Sequence, residues 1–316
     1  MSDDTVKPGA PTAKAVDEKS DRVTSQELGV PGTVVLAAKQ LDHVILRLNK
    51  LLASPGGLSS FLSTLNYGLY VLAYLQTQSP STTKLARTLL SLVNSRQHPA
   101  KPGTTTLATP DGAVPPITAL AQLVSRARTT LRLFGLFPLY AWLRTLLADR
   151  KADTDPVLHR IALLQCLSYI AYQALENISV LADNGILSKN FVALINRGDP
   201  TTARIYRLGY TAWLGGISCD FLRLAREAQL ESRRRVVRKR MQEEGKAVAE
   251  GQEELDMRTD AKWWTDLMIC SAWFPIAWQF SSTKGIPGWN SGWMGLCGLV
   301  AGSSRVQALW GATLHP

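Results

Sequence analysis

The stretch SRARTTLRLFGLFPLYAWLRTLLADRK, residues 125–151, combines an apolar centre with flanking arginines and an internal proline, Pro138. Its uncharged run, from Leu133 to Leu143, is about half as long as the roughly 20 apolar residues that a membrane-spanning helix needs. An arginine at the centre of a spanning helix costs about 2.5–3.5 kcal/mol. We therefore expect that residues 125–151 do not cross a bilayer on their own, and that they either lie on or beside it or pack in a helical bundle.

Helical periodicity divides residues 117–136 into two faces. Arg128 and Arg132 are four positions apart and share one face. The other face carries an apolar stripe at 3- and 4-residue spacings, formed by Leu120, Leu123, Val124, Ala127, Leu131 and Phe134. A helix of this kind can lie at a membrane interface. It can also be an element of a helical bundle whose arginine face is solvated, and the periodicity alone does not decide between the two.

Composition favours contact with a membrane surface. Charged residues make up only 19% of the 316 residues, below the roughly 25% of soluble chains. The net charge is +10, and the positive surplus lies in residues 31–225. A basic surplus suits an anionic membrane or a nucleic acid. Because the chain has no zinc finger, basic-region heptad or aromatic RNA-binding signature, we predict anionic membrane lipids as partners and no nucleic acid.

The pattern of charge and hydropathy predicts an all-α fold. Residues 1–30 have no apolar core and are predicted to form a disordered arm. Residues 31–230 are predicted to form a membrane-associated helical bundle with basic amphipathic helices. One of these is STTKLARTLLSLVNSR, residues 81–96, which has no acidic residue and carries its leucines on one face.

The C-terminal part of the chain has two further regions. Residues 231–262 are a charged segment, basic first and then acidic, of the kind that is usually solvated. Residues 263–316 are predicted to form a C-terminal membrane hairpin, spanning or re-entrant, because two long uncharged stretches surround Lys284. Tryptophans near the ends of such stretches are typical of membrane interfaces. The predicted anchors are Trp263, Trp264, Trp273, Trp278, Trp289 and Trp293. The pairs Gly288 with Gly292 and Gly298 with Gly302 would allow close helix contact.

No pattern in the sequence indicates catalysis. The four histidines lie in four separate segments, and HExxH, GxSxG, GxGxxG and Walker motifs are absent. The four cysteines have neither metal-binding nor disulfide-framework spacing. Glu176 and Asp183 share a helical face, where polar helix contacts explain them better than acid–base chemistry. We predict no enzyme, no catalytic residue, no metal and no cofactor.

Three stretches resemble the peroxisomal biogenesis factor 11 (peroxin-11) family. Its arginine-rich helix is matched within residues 125–147 by Arg126, Arg128, Leu131, Arg132 and Leu133. Its aromatic helix is matched within LLQCLSYIAYQALENISVLADNGIL, residues 163–187, by Tyr169, Tyr172, Glu176, Asn177, Leu181 and Asp183. The tail FPIAWQFSSTKGIPGWNSGWMGLCGLVAG, residues 274–302, is similar to the ending of the longer fungal branch of this family.

The resemblance implies a peroxisomal membrane protein that remodels and elongates the organelle and promotes its division or proliferation. It further implies amphipathic helix insertion, self-association into a homo-oligomer and recruitment of the organelle fission machinery. The candidate lipid-binding residues are Lys84, Leu85, Arg87, Leu89, Leu92, Val93, Arg126, Arg128, Leu131 and Arg132. In this hypothesis the apolar members insert into the membrane and the basic members bind headgroups.

Two alternatives stay open at this point. A peroxisomal membrane pore or carrier for small metabolites would need several spanning helices, with polar residues such as Asn66, Glu176 and Asp183 facing an aqueous path. A soluble helical interaction protein would have to keep the uncharged stretches of the C-terminal region from aggregating in water. Few segments have spanning length, and the tryptophan- and glycine-rich tail disfavours a soluble protein, so the remodelling function is preferred.

Overall fold

A computed structural model describes residues 32–78, 115–148, 155–245 and 251–314, and every regular element in these ranges is an α-helix. The helices are α1 Gly32–Ala53, α2 Pro55–Gln78, α3 Pro116–Arg132, α4 Leu136–Ala148, α5 Pro156–Asp183, α6 Lys189–Ile195, α7 Ala203–Glu243, α8 Gln252–Ser281 and α9 Ser291–Ala312. The all-α prediction is confirmed for this part of the chain. The predicted disordered arm and the predicted helix at 81–96 lie outside the described residues.

Local sequence signals set several helix boundaries. Proline occupies the first position of α2, α3 and α5, where its missing N–H costs no helical hydrogen bond. Asp155 caps α5 by accepting hydrogen bonds from the backbone N–H groups of Val157 and Leu158. Asn290 caps α9 in the same way, through the backbone N–H of Trp293. Short polar side chains before an apolar run thus place the starts of both helices.

The helices pack as a chain of neighbours around two apolar clusters. α7 lies between α5 and α8, and α2 lies between α3 and α9. One cluster, between α7 and α8, is built on Ile217, Leu224, Cys270 and Ala277; the other, between α2 and α3, is built on Leu69, Ala121 and Val124. α1 lies at the periphery, where Arg47 donates to the carbonyl of Trp310 at 2.9 Å and its guanidinium stacks over that indole.

Glycines allow α9 to approach α2 closely. A Cβ at Gly298 would overlap the Tyr67 ring, and a Cβ at Gly295 would lie 2.6 Å from the Tyr67 carbonyl oxygen. Gly292 is equally close to the ring of Tyr74. Of the two predicted glycine pairs, therefore, one member of each makes a close contact, whereas a Cβ added at Gly288 or Gly302 would meet no other described atom within 4 Å.

The two uncharged stretches of the predicted C-terminal hairpin fall in the second half of α8 and in α9, joined by residues 282–290. α9 contacts α8 but packs more extensively along α2. The membrane hairpin therefore stays a prediction. No single helix in the described ranges is both long and apolar enough for a membrane span; α3 and α4 reach that length and composition only as a pair, with a 45° bend between them.

The charged segment forms continuous parts of two helices. The predicted boundaries at residues 230 and 263 fall inside α7 and α8. Ion pairs join the two helices there: Arg235 to Asp260 at 2.7 Å and Arg238 to Asp256 at 2.9 Å. Because these pairs are partly solvated, each contributes only about 0–1 kcal/mol. Together they align the end of α7 with the start of α8.

Candidate membrane-binding surface

The apolar stripe of α3 faces away from the bundle. The side chains of Leu123 and Phe134 are 64% and 65% exposed, and those of Leu120 and Leu131 are nearly half exposed. Val124, assigned to the same stripe from the sequence, points inward instead and is buried against α2. It lies one position beyond Leu123, and that 100° turn of the helix moves it to the inner face.

The arginine face of α3 points into the bundle. Arg128 donates to the Ser63 hydroxyl of α2 at 3.0 Å, and its guanidinium lies 5.0 Å from the centre of the Tyr67 ring. In the amide orientation that satisfies both of its polar atoms, the buried Asn66 accepts from Arg128 at 2.9 Å and donates to the carbonyl of Ala121 at 2.8 Å. Polar side chains of α2 therefore hold Arg128 in place.

Arg132 makes the strongest contact of this inner face. Its Nε and Nη2 atoms donate to the two carboxylate oxygens of Glu176 on α5, at 2.9 and 2.8 Å. The Glu176 side chain is only 4% exposed. Burial acts to lower the pKa of Arg132, but the hydrogen bonds to Glu176 outweigh it, so the pKa is raised and the charge is retained. Burial also raises the pKa of Tyr172, which keeps the hydroxyl that donates to Glu176 protonated.

Polar residues of α5 also hold the break between α3 and α4. Asn177 donates to the carbonyl oxygen of Leu133 at 2.9 Å and accepts from Gln173 at 2.8 Å. Gly135 sits against Gln173 so closely that a Cβ would lie 2.6 Å from the amide oxygen. Pro138 is the third residue of α4, where a proline does not interrupt the helix. The 45° bend is thus set by contacts with α5.

α4 continues the outward apolar face. Phe137, Tyr140 and Leu147 are 60–73% exposed, and no residue of α4 is fully buried. We name the whole face the α3–α4 apolar surface; its members are Leu120, Leu123, Leu131, Phe134, Phe137, Tyr140 and Leu147. Two exposed arginines lie beside it, Arg126 on α3 and Arg144 on α4. On this helix pair the apolar side chains face outward, and the polar side chains form hydrogen bonds inside the bundle. This is the reverse of the usual arrangement in a soluble protein.

The structure places only part of the predicted lipid-binding set on this surface. Leu131 belongs to it and Arg126 lies at its side, whereas Arg128 and Arg132 are engaged inside the bundle. The other predicted residues, Lys84, Leu85, Arg87, Leu89, Leu92 and Val93, lie outside the described residues. Lipid binding by any of the set stays a prediction.

The predicted tryptophan anchors separate into two groups. Trp264, Trp278 and Trp293 are about half to two-thirds exposed. The other three are partly buried. Trp263 donates its indole N–H to the carbonyl of Leu224, and Trp273 packs edge-on against Tyr67. Only the first group has the exposed rings that an interfacial anchor requires.

Sequence reasoning missed most of the buried polar residues of α5, including Gln173, which supports the break between α3 and α4. Gln165, Gln173, Glu176 and Ser179 are all buried on α5, yet only Glu176 was singled out beforehand. The sequence does indicate such buried polar residues, because polar side chains recur on a long helix whose other residues are mostly apolar. Such side chains need internal hydrogen-bond partners. Asn66 and Glu176, two residues that a pore would direct towards an aqueous path, find theirs in Arg128 and Arg132.

The comparison with known proteins identifies the family. Residues 104–310 match the family described as peroxisomal biogenesis factor 11 (PEX11), a range that includes α3–α8 and most of α9. No curated protein and no solved structure matches the chain. Members of this family are peroxisome-associated biogenesis factors and not enzymes. The assignment to its longer fungal branch stays a prediction. The chain belongs to the peroxisomal biogenesis factor 11 family.

Proposed function

We propose that this protein resides in the peroxisomal membrane, where it elongates the organelle and promotes its division by inserting the α3–α4 apolar surface into one leaflet. Family membership supports the peroxisomal role. The orientation of α3 supports the mechanism, because its leucines point outward while Arg128 and Arg132 are bonded inside the bundle. That orientation is the single observation on which the mechanism rests.

The exposed apolar side chains of this surface would be more stable in hydrocarbon than in water. Full removal of a leucine or phenylalanine side chain from water contributes about 1.5–3 kcal/mol. Six outward leucine or phenylalanine side chains and one tyrosine, on two adjacent helices and the turn between them, form a patch of the kind that marks an interaction or membrane site. Since the inner arginines already have protein partners, insertion of this surface would not carry an unpaired charge into the hydrocarbon.

Insertion of the α3–α4 apolar surface into one leaflet would bend the membrane. A helix placed at the boundary of headgroups and acyl chains expands one leaflet more than the other, which favours curvature. The 45° bend matches a pair that enters and returns better than a straight span. Arg126 and Arg144 would remain at the headgroups, where each cation contributes roughly 1 kcal/mol near an anionic surface.

Other parts of the chain would strengthen the bending of the membrane. The basic amphipathic sequence at 81–96 is proposed as a second inserting helix, and the exposed Trp264, Trp278 and Trp293 as interfacial anchors. Self-association would concentrate several inserted helix pairs on one area of the membrane. Recruitment of the organelle fission machinery would then follow at the constricted tubule. Loss of elongation in Leu89→Asp plus Leu92→Asp would support the role of 81–96, and intact elongation would remove it.

A paired-variant experiment tests the α3–α4 mechanism. Leu123→Asp plus Leu131→Asp places two charges on the α3–α4 apolar surface without disturbing the core, because both side chains are exposed. The matched control, Gln122→Asp plus Thr130→Asp, adds the same charge at exposed positions immediately before them. Each full-length protein is expressed with a peroxisome marker, and organelle length and number are recorded together with protein level and location.

The native chain and the control pair are expected to elongate or multiply peroxisomes. The Leu123 and Leu131 pair is expected to be present at equal level and to leave peroxisomes short. Elongation by that pair equal to that of the native chain would overturn the mechanism. A native chain found on another membrane or diffuse in the cytosol would overturn the proposed location.

A further inference from the structure

A small pocket between α5, α7 and α8 combines aromatic rings with carboxylates. Its volume is about 210 Å³, which is below the roughly 300–1,000 Å³ of sites for drug-sized ligands. The pocket therefore suits a ligand group of the size of a lipid headgroup. We name it the aromatic pocket; three smaller apolar side chains complete a lining that is formed mainly by Tyr169, Trp213, Trp273, Asp220, Arg223 and Asp266.

Two tryptophans form a corner of the aromatic pocket. The rings of Trp213 and Trp273 meet at 65°, with their centroids 5.7 Å apart. Tyr172 stacks on Trp213 at 5.8 Å, and Tyr67 packs edge-on against Trp273 at 5.8 Å, so neighbouring rings hold both indoles in place. The cation–π contacts that the described residues make lie at Tyr67 and at Trp310. Within the described ranges, the two indoles of the pocket thus carry no protein cation.

The charged side chains of the pocket sum to one negative charge. Asp220 and Asp266 oppose Arg223 alone, which reaches them only at 3.3 and 3.4 Å. Arg223 makes its shortest ion pair, at 3.0 Å, with Glu227 outside the pocket. Lys262, also outside it, pairs with Asp266 at 2.7 Å. These two outer partners have opposite charges, so including them leaves the sum at minus one.

The pKa of the Cys270 thiol, which lines the pocket, reflects this negative charge. Burial raises that pKa, and the charge of Asp220 raises it further, while Arg223 acts in the opposite direction with a smaller effect. Burial and the charge of Asp220 also raise the pKa of Cys219. The charge of Asp220 is thus not cancelled by Arg223, and the pocket attracts a cation.

The lining distinguishes between kinds of cation. A calcium ion takes roughly six to eight oxygen ligands, whereas the two carboxylates supply four. A primary ammonium has three N–H donors to satisfy, but these carboxylates already accept from Arg223 and Lys262. A quaternary ammonium has no N–H, and aromatic rings and net charge suffice to hold it. We infer that the aromatic pocket binds the trimethylammonium group of a choline headgroup, between its three aromatic rings and beside Asp220.

The position of the pocket favours a membrane lipid as the source of the choline. Trp142 of α4 packs against Tyr169, with the ring centroids 6.5 Å apart. The Tyr169 ring therefore lies between the pocket and α4, a helix of the α3–α4 apolar surface. Phosphatidylcholine of the adjoining leaflet is the expected ligand. This choice of source rests on the proposed membrane insertion, whereas the cation site itself does not.

Lipid binding by the purified full-length protein tests this inference. The protein in dodecyl maltoside is mixed with phosphatidylcholine or with phosphatidylethanolamine of the same acyl chains, and bound lipid is measured by native mass spectrometry. The two lipids differ only in the three methyl groups on nitrogen. We expect at least about fivefold more binding of phosphatidylcholine. Tetramethylammonium chloride is expected to displace it, and sodium chloride at the same concentration is not.

Neighbouring residues supply matched variants. Ile269→Trp fills the pocket and is expected to reduce phosphatidylcholine binding at least about tenfold. Met268 is 43% exposed and lies outside the lining, so Met268→Trp adds the same ring and is expected to leave binding unchanged. Thermal unfolding establishes that both variants are folded.

A second pair of variants tests the charge without changing the volume of the pocket. Asp220→Asn removes the net charge and is expected to weaken phosphatidylcholine binding about two- to fivefold, the size of one partly solvated charge interaction. Glu253→Gln removes an exposed charge at the start of α8 and is expected to have no effect.

Calorimetric titration with choline chloride separates the two sources of the headgroup. Choline binding without a preference between the lipids would support the cation site and assign it a soluble ligand. Equal binding of the two lipids together with no binding of choline would overturn the inference. So would phosphatidylcholine that tetramethylammonium does not displace, or equal losses in the Ile269→Trp and Met268→Trp proteins. Because binding is measured in detergent, its failure would leave the remodelling proposal intact, and a failure of peroxisome elongation would leave the cation site intact.

Discussion

Arg132 and Glu176 form a two-bond ion pair that holds α3 against α5, with Nη2 2.8 Å from Oε1 and Nε 2.9 Å from Oε2. The pair acts together with the contacts of Arg128 and Val124 on α2 to turn the cationic face of α3 inward, so that Leu123 and Leu131 face outward. The orientation of this amphipathic helix is thus set by its contacts with two partner helices, α2 and α5. The headgroup contacts predicted for Arg132 would require this pair to open.

Glu176→Gln is expected to lower the stability of the bundle. The substitution leaves Arg132 without a counter-charge and directs amide hydrogens towards its donors. We expect a loss of roughly 1–3 kcal/mol in the free energy of unfolding, below the value for a fully enclosed pair because the Arg132 side chain is 37% exposed. Thermal unfolding of the full-length protein in nanodiscs measures this change in the free energy of unfolding.

Asp183→Asn is the control for this experiment, since Asp183 lies on the same helix and accepts hydrogen bonds at the surface from Thr202 and Tyr206. It is expected to cost less than Glu176→Gln. The double variant Arg132→Gln plus Glu176→Gln is expected to recover part of the loss. Equal effects of the two single substitutions would show that the buried pair has no special role.

Gly298→Ala is expected to separate α9 from α2. The added Cβ would overlap the Tyr67 ring, which is also held between Arg128 and Trp273 and has little room to move. Overpacking of this kind typically costs about 1–3 kcal/mol. Gly302→Ala, four residues later on the same helix, meets no atom within 4 Å and is expected to be neutral or stabilising by up to about 1 kcal/mol.

Hydrogen exchange of α9 and α2, compared between these two variants, is the measurement. Faster exchange in both helices for Gly298→Ala alone would support the packing described here. Equal protection in the two variants would mean that α9 does not pack on α2 in the full-length protein.

The charge of Asp155 is expected to stabilise the protein in a defined pH range. Hydrogen bonds from Arg226 and from the backbone N–H groups of Leu158 and Val157 hold its pKa at about 2. The folded-state pKa therefore lies below the unfolded value of about 3.9. The stabilisation is present at pH values above about 4 and is lost as the pH falls through about 2.

Unfolding of the native chain and of Asp155→Asn should be compared from pH 7 to pH 2. Asparagine retains capping ability, so the difference in stability reports mainly the charge. A constant difference down to about pH 4, shrinking below it, is the expected result. A difference that does not change with pH would show that the ion pair with Arg226, at 2.7 Å, contributes no net stability.

Much of the secondary structure could be predicted from local sequence. The aromatic stretch at 163–187 was expected to be helical, and most of it lies in the helix Pro156–Asp183. α1 and α2 are separated by Ser54 alone, because Pro55 begins α2 and the two glycines after it continue that helix. Proline and capping signals act on neighbouring residues only, which explains why such boundaries can be read locally. The continuity of α7 through residue 230 was missed, because a change in side-chain charge does not end a helix.

The sequence by itself determined that α3 has an apolar face and an arginine face, since 3.6-residue periodicity is a property of a single helix. Only the tertiary structure decided which face points outward. The partners of the arginines are Ser63 and Asn66, some sixty residues earlier, and Glu176, forty-four residues later. A buried carboxylate left without a cation would cost several kcal/mol, so the position of Glu176 helps to select the inner face, and no local pattern in α3 carries that information.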